Sequence, residues 1–199
     1  LELAPIFEET FESGDLSKWN VLDSNFQIKT DNVFGGQYSA GINSTTITGD
    51  VAKIDFNFDN NPTYFEFLYY ETTDSTGGGI KLYDDSGNPI LAIVSDNPQW
   101  RIEDGSGWTE IKSHTEGYDT WHKVSVHINW DNNTFDVRWE DLGRNVRVIS
   151  NGHQLMDSTN ISNLVIKEYN SSDGFNIDGT MYMWFDNIKF MTNTGNRLS

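Results

Sequence analysis

Between Trp100 and Trp108 the chain gathers two tryptophans with Arg101, Glu103 and Asp104 around a Gly105-Ser106-Gly107 turn, and Tyr69, Tyr70 and Tyr83 fall in neighbouring segments. An aromatic ring laid flat on a sugar face, with Asp, Asn or Arg beside it to bond hydroxyls, is the chemistry such a set supplies. Trp100, Arg101, Asp104, Trp108 and Tyr70 are therefore the candidate ligand-binding residues. Adjacent Tyr69 and Tyr70 must point to opposite faces of one strand, so one of them points outward. Packing is the competing use of such rings, and Trp121, Trp130, Trp139 and Trp184 are assigned to core or sheet packing.

Other chemistries find less support. The chain has no cysteine, which excludes disulfides, zinc-thiolate sites and a cysteine nucleophile. A Ser-His-Asp set stays open on spacing alone, but no Gly-x-Ser-x-Gly elbow is present. His122 alternates with Val124 and Val126 and reads as an inner or edge histidine, and His122 and His127 face opposite ways, which disfavours a shared metal. Gly77-Gly78-Gly79 lacks the helix and lysine of a phosphate loop and reads as a bend or a mobile loop. Thirteen Lys and Arg against thirty Asp and Glu give a net charge of −17. That surface would repel a phosphate backbone, so nucleic acid is excluded as a partner, and it would hinder contact with anionic membranes while tolerating neutral glycans.

These residues must be positioned by strands. No stretch sustains a 3.6-residue apolar period, and no window is apolar enough to insert directly into a membrane. Short β-branched or aromatic runs alternate instead, separated by Gly, Asn, Asp and Ser. The clearest runs from Trp121 to Trp130, with Val124, Val126, Ile128 and Trp130 on one face and Lys123, Ser125, His127 and Asn129 on the other. A turn at 131–134 then leads into Phe135–Trp139, which makes a hairpin. Further strands are expected at 25–30, 38–42, 51–58, 63–71, 79–83, 90–94, 99–103, 108–112, 145–149, 161–168 and 181–190, with turns at 84–89, 103–107 and 151–152. So many short strands split into two packed layers, which predicts an all-β, two-layer antiparallel sandwich of jelly-roll type spanning 1–199 as one domain.

Phe11-Glu12-Ser13-Gly14-Asp15-Leu16-Ser17-Lys18-Trp19, Gly36-Gln37-Tyr38-Ser39-Ala40, Trp121-His122-Lys123-Val124-Ser125-Val126 and Trp184-Phe185-Asp186-Asn187-Ile188-Lys189-Phe190 together resemble the concanavalin A-like lectin/glucanase superfamily, in particular its laminin-G-like and carbohydrate-binding jelly rolls. The resemblance implies a secreted or cell-surface module, of a kind also found as part of a larger chain, whose partner is a neutral glycan or a surface protein. It also implies a structural calcium ion (Ca2+) held by Glu12 and Asp186, since calcium takes six to eight oxygens and would clamp the first strand to the last. The superfamily's glucanases carry paired glutamates on one strand. Here the nearest segment, Lys53-Ile54-Asp55-Phe56-Asn57-Phe58-Asp59, has Lys and Asn where carboxylates would be needed. The related lyases would need a clustered Arg, Gln, His and Tyr set, whereas Arg101, His114, His122, Arg138, Arg144 and Arg147 are scattered. The expectation is a non-catalytic carbohydrate-binding module, with an adhesion or surface-assembly domain as the alternative and a polysaccharide-degrading enzyme as a more distant one.

Overall fold

The computed structural model describes residues 5–47, 49–72, 75, 77–96, 99–113, 118–169 and 179–192. Their alternating runs form fifteen strands: β1 (Phe7–Glu9), β2 (Asn20–Val21), β3 (Phe26–Lys29), β4 (Ser39–Ile47), β5 (Asp50–Asp55), β6 (Tyr64–Glu71), β7 (Gly77–Tyr83), β8 (Pro89–Asp96), β9 (Gln99–Asp104), β10 (Gly107–Ser113), β11 (Thr120–Asn129), β12 (Thr134–Asp141), β13 (Val146–Gln154), β14 (Asn163–Glu168) and β15 (Gly179–Met191). They assemble into two antiparallel sheets. One has eight strands in the order β13-β12-β11-β6-β15-β4-β3, with β1 also paired to β15; the other has seven, in the order β10-β9-β8-β7-β14-β5-β2. The fold is the expected two-layer jelly-roll sandwich.

Alternation decides what each strand buries. On β11, His122, Val124, Val126 and Ile128 point inward, and their cross-strand partners on β12 are Asp141, Trp139, Val137 and Phe135, which are buried with them. From β6 and β15 come Phe65, Phe67, Tyr69, Phe185, Ile188 and Phe190, and these meet Ile80, Leu82, Ile93, Trp100, Ile102, Leu164 and Ile166 of the other layer. Each such side chain contributes about 1.5–3 kcal/mol on burial, so a continuous aromatic core can carry the sandwich without disulfides. Within the core, Trp139 Nε1 donates to the Tyr69 hydroxyl at 2.9 Å.

Where the structure departs from the expected elements, local geometry gives the reason. β1 and β2 are three and two residues long, too short to show a period. Asn151-Gly152, read as a turn, lies inside β13, where one extra residue bulges between the pairs Phe135↔His153 and Val137↔Ser150 and Gly152 takes φ +77°. Gly77-Gly78-Gly79 opens β7 rather than forming a bend. Trp130 falls just past β11, and its indole donates to the Pro62 carbonyl at 2.9 Å.

Candidate functional site

The outward positions of three adjacent strands place three aromatic rings in one row. Trp121 on β11 is the cross-strand partner of Tyr70 on β6, and Tyr70 is the partner of Trp184 on β15. Ring centroids lie 5.8 Å apart for Tyr70–Trp121 and 5.6 Å for Tyr70–Trp184. Trp184 in turn sits over Gly41 of β4, where an added Cβ would come within 2.6 Å of the indole; any larger residue would push the ring away. Trp121 and Trp184 were expected in core or sheet-packing roles; both stand on the outer side of the sheet, where Trp184 is buried against Gly41 and Tyr70 while Trp121 is partly exposed. The period-2 rule accounts for Trp121, which is in phase with Lys123 and out of phase with Val124.

A loop completes this face. Phe34, 48% exposed, reaches over from the segment between β3 and β4 to an edge contact with Trp121 at 5.8 Å. Below it opens a depression of about 310 Å³, floored by Leu68, Glu66, Lys123 and Asn187 and walled by Phe34 and Leu142. Lys123 Nζ lies 2.8 Å from Glu66 Oε2, and the Tyr64 hydroxyl donates to the same carboxylate at 2.9 Å. Lys189, also in the depression, pairs with Glu8 at 2.9 Å. Farther along, Glu140 is held by Arg138 at 2.7 Å and Arg147 at 3.3 Å. Burial pushes Glu140 up, but the two guanidiniums outweigh it and hold the carboxyl below its ordinary range. Burial drives the Tyr64 phenol up to about 12, so it remains a neutral donor at any physiological pH. Fixed donors and acceptors thus lie beside the exposed Phe34 ring and the partly exposed Trp121 and Tyr70 rings, an arrangement suited to hydroxyl-rich ligands.

The loop carrying Phe34 is pinned by carboxylates. Asp186 is fully buried and accepts backbone N–H groups of Asn187, at 2.7 Å, and of Gly35 and Phe34. Glu12 accepts the N–H groups of Gln37 and Tyr38 at 3.0 Å, and the Trp184 indole donates to Asp31 at 3.0 Å. Burial pushes the Asp186 carboxyl up to about 6, opposed by those backbone bonds and reinforced by the nearby negative Glu12. A one-residue bulge in β15, at Asn187 with φ +48°, lets Asp186 serve the loop while Lys189 still faces the depression. The expected calcium site at Glu12 and Asp186 is corrected by this arrangement. Among the described residues no group of three or more His, Cys, Asp or Glu side chains is placed to hold a metal ion, and both carboxylates are engaged by backbone donors.

The residues proposed from sequence for ligand binding do not stay together. Tyr70 belongs to the aromatic row just described. Trp100 is fully buried, with its ring 4.2 Å from Tyr69, and has no surface to stack on a sugar. Asp104 is buried too, accepting from the Ser106 N–H at 2.8 Å and meeting His153 Nδ1 at 2.9 Å. Arg101 and Trp108 lie on the outer face of the seven-stranded sheet, across the sandwich from Tyr70. There Arg101 bonds Gln99 at 3.0 Å, and Trp108, 39% exposed, leans on Tyr169 at 5.0 Å. His122 is buried between the rings of Tyr69 and Trp139, at 4.8 and 5.0 Å. Sequence reading did not single out as candidates Phe34, Trp121, Glu66, Lys123 or Lys189, which border the row and the depression.

No family model matches the sequence, and no curated protein matches it. Solved structures do share its fold. A sialidase superposes with a TM-score of 0.63 at 10% identity over 96% of this chain and 19% of the sialidase, so the chain spans about a fifth of that protein's length. The CBM2 module of the Lactobacillus casei BL23 phage J-1 evolved Dit gives 0.60 at 12% identity, covering 98% of this chain and 97% of the module. Alginate lyase vAL-1 from Chlorella virus gives 0.57 at 11% identity, covering 96% and 100%. At such identities the likeness defines the fold alone: an all-β jelly roll of the kind found in a carbohydrate-binding module and in carbohydrate-active enzymes, without assignment to a concanavalin A or laminin-G family. Among the described residues no helix is long and apolar enough to cross a membrane.

Proposed function

We propose that this domain is a carbohydrate-binding module of a secreted or cell-surface protein, non-catalytic toward the glycan it binds, within the concanavalin A-like group of folds, and that it holds a neutral glycan on the outer face of the eight-stranded sheet. The observation that carries the reading is the aromatic row of Trp121, Tyr70 and Trp184, capped by Phe34 and continuous with a depression containing Glu66, Lys123 and Lys189. Trp121, Tyr70 and Phe34 stack on sugar faces. Glu66 accepts hydroxyl hydrogens and Lys123 and Lys189 donate to hydroxyl oxygens, an exchange that suits an uncharged ligand because the ion pairs already balance one another.

A second reading, attachment to a surface protein, draws on Leu142, Val146 and Ile149, which are exposed along the β12–β13 edge of the same sheet. Calorimetric titration of the wild type and Trp121→Ala with a panel of neutral oligosaccharides separates the two. The glycan reading predicts binding that weakens at least about tenfold in the variant. Absence of binding across the panel, or binding indifferent to Trp121, would overturn it.

A further inference from the structure

At the open edge between the two sheets, Ser150, His153 and Asp104 form a continuous hydrogen-bonded line. Ser150 Oγ lies 2.8 Å from His153 Nε2, and His153 Nδ1 lies 2.9 Å from Asp104 Oδ2. The other Asp104 oxygen accepts the Ser106 backbone N–H at 2.8 Å, which fixes the carboxylate. With Nδ1–H directed at a buried carboxylate, Nε2 presents its lone pair to the Ser150 hydroxyl; this is the tautomer a general base needs.

The backbone is arranged to make the line possible. Residues three apart in a regular strand point to opposite faces, so Ser150 and His153 could not meet on an unbroken β13. The Asn151-Gly152 bulge inserts one residue, with Gly152 at φ +77° and its N–H tied to Asp136 at 2.8 Å, and so turns both side chains to the same face. Asp104 arrives from the other sheet, and the Gly105 N–H, bonded to the Gln154 carbonyl at 2.8 Å, locks its turn to β13. Burial is graded along the line: Asp104 and His153 are buried, while Ser150 is half-buried on an edge strand and open to an approaching molecule. The Phe135 ring packs 5.3 Å from the imidazole on its buried side and helps hold it in place.

We propose that Ser150 is a nucleophile for small uncharged acyl esters, with His153 as its base and Asp104 orienting the imidazole. The Ser150 oxygen bonds to the ester carbonyl carbon as its proton passes to His153 Nε2, and the carbonyl π pair moves onto oxygen. Collapse breaks the bond to the alcohol oxygen, which leaves with the proton from Nε2. Water then attacks the acyl-serine with loss of a proton to Nε2, the bond to Ser150 breaks, and the serine oxygen recovers that proton. The sum is ester plus water giving acid plus alcohol. This activity is separate in place and chemistry from the glycan-binding face.

Two probes test it on the full chain: a biotinylated fluorophosphonate, mapped by peptide mass spectrometry, and p-nitrophenyl acetate hydrolysis. The expected result is an adduct on Ser150, absent in Ser150→Ala. Labelling and hydrolysis should fall at least about a hundredfold in Asp104→Asn, which keeps the shape of the side chain. Near-UV circular dichroism establishes that each variant has kept native packing. A structural strut alone would yield no Ser150 adduct under conditions that fully label a reference serine hydrolase, or labelling unaffected in natively packed Asp104→Asn. Either outcome would overturn the proposal.

Discussion

The two outer faces of this sandwich use the same strand chemistry to different ends. On the seven-stranded sheet one outward row reads Asn20, Lys53, Val165, Lys81, Ala92, Glu103 and Trp108 across successive strands. Ala92 is small enough for Lys81 to close on Glu103 over it at 2.5 Å, and the Lys81 ammonium also sits 5.9 Å from the Tyr83 ring. That row seals itself with its own side chains. The eight-stranded sheet instead aligns Trp121, Tyr70 and Trp184, and a loop pinned by Asp186 adds Phe34, so rings and charges border a space they do not fill. Register and a single bulge, rather than composition, separate a closed face from an open one.

The comparison can be broken most forcefully at Trp100, which shares β9 with Arg101 but faces the core. Trp100→Ala is expected to cost about 3–5 kcal/mol in denaturant unfolding, because it empties a fully buried site, while the folded fraction keeps its glycan affinity. Lost binding in natively packed Trp100→Ala would shift the site back toward the seven-stranded sheet.

Asp186 gives the next largest effect. Burial raises the Asp186 carboxyl from an ordinary 3.8 to about 6, so this group's own contribution to stability is fully present below about pH 4 and is lost as pH rises through about 6, a swing of at most about 3 kcal/mol. Asp186→Asn should remove that share of the pH dependence. Parallel stability curves for wild type and variant from pH 4 to 7 would contradict the pinned-loop account.

On the open face, Trp121→Ala should weaken glycan binding by about 2 kcal/mol, between tenfold and a hundredfold. The smallest effect belongs to Trp108→Ala. Affinity measured by the same titration should stay within about twofold, and stability within about 1 kcal/mol. If Trp108→Ala weakened binding as much as Trp121→Ala, the distinction between the faces would fail.

Most of the fold is readable in the sequence because β-branched and aromatic residues alternate over long enough runs, as from Val124 to Ile128. The two shortest strands escape that rule, and the bulge at Asn151-Gly152 looks like a turn because the same residues serve both. The site is less readable. Trp100, Arg101, Asp104 and Trp108 are close in sequence, but alternation along β9 sends Trp100 and Asp104 inward and Arg101 outward. Tyr70 was recoverable from its adjacency to Tyr69, and Trp121 from its phase with Lys123. Phe34 was not, since its place over Trp121 depends on backbone bonds to Asp186, about 150 residues away in the chain.

The central claim is tested most directly by following the seven tryptophan indole N–H resonances during titration with a saturating neutral oligosaccharide from the panel. The account predicts that the Trp121 resonance moves, with Trp184 next to it, while Trp108 stays fixed. Movement at Trp108 with Trp121 unchanged, or no movement of any indole across the panel, would contradict it.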